Sequence, residues 1–175
     1  QPSRAEPQGL IDDAGTRVTL TATPGRVVSL IPATTELIFA LGAGGLLVGR
    51  TTWCDYPAEA ARVPDLGNGI EPNVEAVVGA RPDLVLLYKS ASNRIAADRF
   101  RALGIPTLEL ATDRMEDFDR ITRLLGAVLS RPAAAESLVT VTARDLAAAS
   151  PLTIQSSSRP TISVHTGPIR VISFF

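Results

Sequence analysis

Aromatic side chains are the groups in this sequence best suited to binding chemistry, and they lie at predicted strand ends. The only Trp, Trp53, shares a loop with Tyr56, and the other Tyr, Tyr88, closes another predicted strand. Aromatics grouped in this way favour a site for a large flat or partly apolar ligand. A lone aromatic more often packs at the rim of a core, but co-location favours the ligand site. We assign Tyr56, which precedes Pro57, to packing of the loop.

Motifs for catalysis are absent from the sequence. There is no G-x-S-x-G, H-E-x-x-H or G-x-x-x-x-G-K-[ST] pattern, which argues against hydrolase, zinc-protease and phosphate-loop chemistry. The Gly-rich stretch 42–45 follows a predicted helix and precedes a strand, the reverse of the order in a nucleotide-binding loop. His165, the only histidine, could be a general base, a metal ligand or a packed side chain, and we favour the packed side chain. Cys54 is the only cysteine, so an internal disulfide and a cysteine metal site are excluded. We predict no catalytic residue, no metal site and no resident cofactor.

The composition indicates one ordinary globular core. The chain has 175 residues, 45% of them apolar, and a formal net charge of -1, which suits a single domain. No cluster of Lys and Arg is present, so we predict no nucleic-acid partner and no anionic membrane surface. No apolar run is long enough to span a bilayer. Because the chain starts at Gln1 and not at Met, we expect that an export signal has been removed.

The elements that position these residues follow a β-α-β-α order. Residues 10–20 predict a hairpin that turns at Asp13-Ala14-Gly15. Apolar runs predict strands at 27–31, 46–50, 84–88 and 107–110, with helices at 35–41, 74–80 and 94–103. Strands separated by helices indicate right-handed crossovers and a parallel sheet. The remaining pattern predicts helices at 117–129 and 132–149, a linker at 151–159, and strands at 161–165 and 169–175.

The first of these helices carries recognisable start and stop signals. Thr34 and Thr35 suit its start, Glu36 suits its positive end, and Gly42 suits its stop. We therefore interpret Glu36 as a structural residue. In an open parallel sheet, ligands bind outside the carboxyl ends of the strands. The loops to search for function are therefore 32–34, 51–56, 89–93 with Tyr88 at its root, and 111–114.

Several stretches together resemble one family. The sequence is similar to the substrate-binding proteins of bacterial ABC importers for cobalamin, iron-siderophore and haem, over residues 10 to 150. The resemblance rests on DDAG at 12–15, RVVSLIPATTELIFALG at 26–42, DYP at 55–57, NVEAVVGARPDLVLLY at 73–88 and LGIPTLEL at 103–110. The family has two α/β lobes joined by one long helix, and the cobalamin binders resemble this chain most. The resemblance implies an exported protein that is periplasmic or displayed on the cell surface.

The resemblance implies roles for particular residues. Trp53 and Tyr88 fall where cobalamin binders place aromatics against the corrin ring. With the strand-end loops, this gives a predicted ligand-binding set of Pro32, Ala33, Trp53, Asn68, Gly69 and Tyr88. The loop 66–69 lacks the further aromatic that a cobalamin binder can offer there, so a ferric siderophore or haem remains an alternative ligand. Glu75 is the implied docking residue, because the family pairs an acidic side chain on each lobe with Arg of the membrane permease.

The predicted fold is α/β, a Rossmann-like parallel-sheet lobe followed by a long connecting helix, with the second lobe largely missing. We divide it into a tail and hairpin (1–25), a ligand-binding lobe (26–130), a connector helix (131–150) and a stub of the second lobe (151–175). The C-terminal strands of that stub predict a possible homodimer, because exposed strand edges recruit other strands. Two alternatives to an importer receptor stay open: a nucleotide-binding enzyme or sensor on the same sheet, and a structural fragment without ligand affinity.

Overall fold

The predicted hairpin is the first element of the part of the chain that the structure describes. A computed structural model describes residues 8–149, in which β1 (Gln8–Ile11) and β2 (Arg17–Leu20) pair antiparallel. The turn is held by Asp12, whose Oδ1 accepts hydrogen bonds from the backbone N–H groups of Ala14 and Thr16 at 3.0 and 2.7 Å. Gly15 follows with φ of +79°, a conformation that glycine adopts without strain.

A four-stranded parallel sheet forms the centre of the molecule. Its strands are β3 (Val27–Ser29), β4 (Leu47–Arg50), β5 (Leu84–Tyr88) and β6 (Thr107–Leu110), in the order β4-β3-β5-β6. The predicted α/β fold is confirmed, although β3 ends at Ser29 and not at residue 31. The chain moves outward from β3 to β4 and then returns to β5 on the other side, so the direction of winding reverses between β3 and β5.

Helices cover both faces of this sheet. They are α1 (Pro32–Ala40), α2 (Val74–Gly79), α3 (Ala91–Ala102), α4 (Met115–Val128) and α5 (Pro132–Ala149). Short 3-10 turns at Gly44–Leu46 and Ala58–Arg62 flank β4. None of the described helices is both long and apolar enough to cross a membrane.

The predicted start of α1 was wrong by three residues. The helix begins at Pro32, whose ring fixes φ near the helical value. Thr34 and Thr35 are buried inside the helix, and their hydroxyls lie 3.0 and 3.2 Å from the carbonyl O of Ile31 instead of capping the helix start. Glu36 therefore lies beyond the first turn. The predicted stop is confirmed, because Gly42 has φ of +69° and donates to Phe39 O.

The start of α3 was also predicted three residues late. Ser90 is its N-cap, and its Oγ accepts from the backbone N–H of Asn93 at 3.1 Å. Residues 90–93 are Ser, Ala, Ser and Asn, so this first turn has no large apolar side chain. The helical spacing of apolar residues that predicted the helix begins only after it. Helix α4 begins at Met115, two residues before the predicted start.

Two apolar layers enclose the sheet because alternate strand residues point to opposite faces. On one face, Leu84 and Leu86 of β5 pack with side chains of α1 and α4. On the other face, Val85 and Leu87 pack with Val77 of α2 and with side chains of α3 that include Phe100.

Some predictions fall on residues 1–7 and 150–175. The linker at 151–159, the strands at 161–165 and 169–175, His165 and the homodimer through these strands lie outside the described residues. The domain limits, including the connector role of α5, stay predictions.

Candidate functional site

A cleft of about 520 Å³ opens at the carboxyl ends of the parallel strands. Leu30 and Ile31 lead into it from β3, Thr51 from β4 and Tyr88 from β5. The crevice between β3 and β5 is where the winding of this sheet reverses, and ligands of open α/β sheets bind at such a point. The topology therefore marks this cleft as the candidate ligand site.

One part of the cleft is apolar. Its lining includes Leu30, Ile31, Pro32, Ala33, Trp53 and Ile70. Trp53 is 66% exposed and Ile70 is 67% exposed. Leaving large apolar side chains in water forfeits about 25 cal/mol for each Å² that could be buried. A flat, partly apolar ligand that covered both side chains would recover this free energy.

The buried side chain of Cys54 holds the loop that carries Trp53 in place. This thiol is 1% exposed, and its Sγ lies 3.2 Å from the hydroxyls of both Thr35 and Thr51. The contact with Thr35 ties the loop to α1. Cys54 is therefore a buried anchor that holds Trp53 in place at the cleft.

Another part of the cleft is polar and is organised by Tyr88. The phenol O–H of Tyr88 donates to Asp113 Oδ1 at 2.5 Å, which joins the end of β5 to the loop after β6. This hydrogen bond, together with partial burial and the negative charge of Asp113, raises the pKa of Tyr88 above its ordinary value. The phenol of Tyr88 therefore resists deprotonation more than an ordinary tyrosine does.

The start of α3 adds further polar groups beside Tyr88. Asn93 is 1% exposed, and its Nδ2 donates to the carbonyl O of Tyr88 at 2.9 Å. Its Oδ1 is buried and has no hydrogen-bond partner. The hydroxyls of Ser90 and Ser92 lie 3.1 Å apart, and all these residues line the cleft.

Most of the predicted ligand-binding residues come together in this cleft. Pro32, Ala33, Trp53, Gly69 and Tyr88 all line it. At Gly69 a Cβ would lie 2.5 Å from the carbonyl O of Leu30, so the loop can approach β3 this closely only with glycine there. The binding roles of these residues stay predictions.

Asn68 is not among the lining residues. Its side chain is exposed, and Oδ1 accepts from the backbone N–H of Ile70 at 2.8 Å. The residue shapes the loop that presents Gly69 and Ile70. Tyr56 is also outside the lining and is 36% exposed.

Sequence reasoning missed several lining residues. The strand-end rule selected the loops 88–93 and 111–114, but nothing in the sequence indicated that Asp113 would meet Tyr88 across two strand ends. Ile70 carried no signal of this kind, because its loop is brought beside β4 by the pairing of Arg50 with Asp65. Asn93 was identified only as part of a loop, although it lies inside a helix.

Glu75, the predicted docking residue, lies apart from the cleft lining. It is exposed in the first turn of α2, where Asn73 caps the helix by accepting from Ala76 N–H at 2.9 Å. No ion pair involves Glu75 within residues 8–149. Over the same residues, no group of three His, Cys, Asp or Glu side chains is placed to hold a metal ion.

Comparison with known proteins gives consistent matches. A vitamin B12-binding protein of Pectobacterium atrosepticum is 27% identical over 154 residues, which are 88% of this chain and 53% of that protein. An ABC transporter substrate-binding lipoprotein of Bacillus subtilis is 42% identical over 94 residues, 53% of this chain and 29% of that protein. The solved structure of the periplasmic heme-binding protein RhuT from Roseiflexus superposes with a TM-score of 0.66 at 29% identity, over 71% of this chain and 48% of that one.

These matches bear on the predicted function class. The chain spans about half the length of the first of these relatives and of the solved structure. All three relatives are binding proteins, so the prediction that this chain is not an enzyme is confirmed. The family model of the periplasmic binding proteins matches residues 27–173, and the chain belongs to that family.

Proposed function

We propose that this protein is an exported receptor of an ABC importer that captures a metal chelate such as cobalamin and delivers it to a permease. The observation that carries the proposal is the exposure of Trp53 in a cleft at the carboxyl ends of the sheet. The similarity of this chain to a vitamin B12-binding protein and to an ABC transporter substrate-binding lipoprotein supports the same function. Membership of the periplasmic binding protein family supports an exported location.

The shape and lining of the cleft suit a corrin better than a small polar solute. An apolar wall that includes Trp53 and Ile70 offers a surface for the face of a macrocycle, because aromatic rings favour offset stacking on other π systems. The polar groups around Tyr88 lie within the same cleft and can receive the substituents at the ring edge.

Haem is the second candidate, since one similar solved structure is a heme-binding protein. Haem iron is held by a His, Cys, Met or Tyr side chain of its protein. Tyr88 is the one of these residue types that lines the cleft, and its proton is held by Asp113, which opposes the tyrosinate that iron would require. This favours a chelate whose metal needs no ligand from this lobe.

A titration with cyanocobalamin tests the proposal. Emission from the only Trp of the chain reports Trp53 directly, and a coloured corrin stacked on it should quench that emission saturably. We expect a dissociation constant of about 0.1 to 1 mM, because the open cleft leaves part of the ligand in water. Equilibrium dialysis provides an independent measurement of the same affinity.

Two variants locate the binding. Trp53→Ala should weaken binding in dialysis by at least about fivefold, through the loss of stacking and of buried area. Ile95→Ala removes a side chain of similar exposure, 63%, from the surface of α3 outside the cleft, and should leave the affinity unchanged. Saturable dialysis binding with no change in Trp emission would place the ligand elsewhere.

In the proposed delivery step, Glu75 is the residue that docks to the permease. Its exposure on α2, away from the cleft lining, supports a surface that a permease reaches while the ligand is bound.

A further inference from the structure

The polar part of the cleft is short of positive charge. Within residues 8–149, no Arg, Lys or His lines the cleft, and Asp113 is the one charged side chain that does. Lys89 and Arg114 flank the lining residues Tyr88 and Asp113 in sequence, but they do not line the cleft. A ligand carboxylate in this part of the cleft would therefore meet a like charge.

Two hydrogen-bond acceptors in this part of the cleft have no donor among residues 8–149. The phenol proton of Tyr88 is used on Asp113 Oδ1, while Asp113 Oδ2 has no partner among residues 8–149. The Nδ2 group of Asn93 is used on Tyr88 O, and its buried Oδ1 is unpartnered. The Asn93 oxygen is enclosed by protein, whereas Asp113 is exposed, so an N–H or O–H group of a ligand can donate to its free carboxylate oxygen.

We infer that the group formed by Tyr88, Asn93 and Asp113 selects chelates that present N–H or O–H donors at their edge, such as carboxamides, over chelates that present carboxylates. This inference rests on the proposed function and deepens it. Asp113 is the specificity-determining residue, because it supplies both the charge and the free acceptor. Tyr88 is a positioning residue for Asp113, since its phenol fixes one carboxylate oxygen and leaves the other for the ligand.

Carboxamide and propionate side chains differ in the groups that they offer to Asp113. Carboxamide side chains offer N–H donors without charge, whereas propionates offer only acceptors and bring negative charge. A charge-assisted hydrogen bond to Asp113 is about twice as strong as a neutral one, while a carboxylate would be repelled.

Three cobalt corrins that share the same ring and metal test this directly. Dicyanocobinamide carries amide side chains, dicyanocobyrinic acid carries carboxylates, and dicyanocobyrinic heptamethyl ester is neutral but has no N–H donors on its side chains. Binding of each to the full chain is measured by dialysis. We expect the amide corrin to bind at least about tenfold more tightly than the acid, with the ester also weaker than the amide.

Asp113→Asn keeps an acceptor for the Tyr88 phenol but removes the charge and turns the free oxygen into a donor. We expect this variant to reduce the amide-over-acid preference to within about threefold. Glu116→Gln removes an exposed negative charge three residues away and outside the cleft lining, and should retain the wild-type preference. Tyr88→Phe should reduce the preference partly, because Asp113 is no longer held.

The outcomes separate the inference from the proposed function. Trp53-dependent binding of all three corrins with equal affinity, or an unchanged preference in Asp113→Asn, overturns the inference and leaves the proposed function standing. If no corrin binds, or if binding is indifferent to Trp53→Ala, the proposed function fails and the inference fails with it.

Discussion

At the scale of single residues, Arg101 joins the hairpin to the sheet. Its guanidinium lies 2.8 Å from Asp12 Oδ2 and 3.0 Å from Glu109 Oε2. The side chains of Asp12 and Glu109 are 0% and 1% exposed, so neither carboxylate can turn to water. Asp12 Oδ2 also accepts from Glu109 N–H at 3.2 Å. The turn of the hairpin is therefore attached to β6 by an ion-pair network, in which Asp12 and Glu109 share the guanidinium of Arg101.

Removing this cation should destabilise the whole fold. Arg101→Gln leaves two buried carboxylates with only Arg94, 3.3 Å from Glu109 and itself 44% exposed, as a counter-charge. Breaking a buried ion pair typically costs about 3 to 5 kcal/mol, and we expect about 3 kcal/mol in urea unfolding, because Arg101 is partly solvated. Arg123→Gln breaks an exposed pair with Glu136 and should change stability by less than about 0.5 kcal/mol. Equal effects of the two substitutions would contradict the structural role of Arg101.

Residue identity alone explains only part of the candidate site. Trp53 and Tyr88 could be selected from the sequence because aromatics are few and because strand ends converge at one edge of a parallel sheet. Asp113 could not, since its contact with Tyr88 depends on the register of β5 against β6, which places Tyr88 opposite Leu110. The unpartnered oxygen of Asn93 is likewise a property of packing.

At the scale of elements, the strands were predicted more accurately than the helix starts. Strands of this sheet are buried on both faces and therefore appear as continuous apolar runs, such as LVLLY in β5. The starts of α1 and α3 lie in Pro-containing or polar turns, where the spacing of apolar residues gives no signal. Pro32 sets the start of α1, and the Ser90 cap sets the start of α3.

The packing of α4 on α5 depends on one small residue. A Cβ at Gly126 would meet the Cβ of Ala135 well inside van der Waals distance, and the carbonyl O of Arg131 at 3.2 Å. Glycine in a helix lowers stability by about 1 kcal/mol relative to alanine when nothing else intervenes. Its presence here is explained by the close approach of the two helices.

Gly126→Ala should therefore destabilise the protein despite its better helix propensity. Overpacking of this kind costs about 1 to 3 kcal/mol, and we expect a net loss of about 1 to 2 kcal/mol in thermal or urea unfolding. Gly79→Ala is the matched control, since Gly79 closes α2 and a Cβ there would meet nothing within 4 Å. That control should be neutral or mildly stabilising. A neutral Gly126→Ala would mean that α5 shifts freely against α4.

At the scale of the whole molecule, the candidate ligand cleft and the proposed docking residue Glu75 occupy different surfaces. The cleft gathers the ends of the four parallel strands, whereas Glu75 is exposed on α2 and is not among the residues that line it. A substitution on α2 can therefore change the partner surface without altering the ligand surface. This separation allows the proposed receptor function to be divided into two measurable steps.

Glu75→Arg should impair delivery and spare capture. Charge reversal at a docking surface that faces Arg of a permease places like charges together, and we expect at least about a tenfold loss of association. Uptake of labelled cobalamin should fall accordingly in cells that carry this receptor with its own permease, while cobalamin affinity stays within about twofold of wild type. Glu59→Arg, an equal charge reversal at another exposed residue outside the cleft, should leave uptake unchanged. Normal uptake with Glu75→Arg in a correctly folded receptor would show that Glu75 does not dock to the permease.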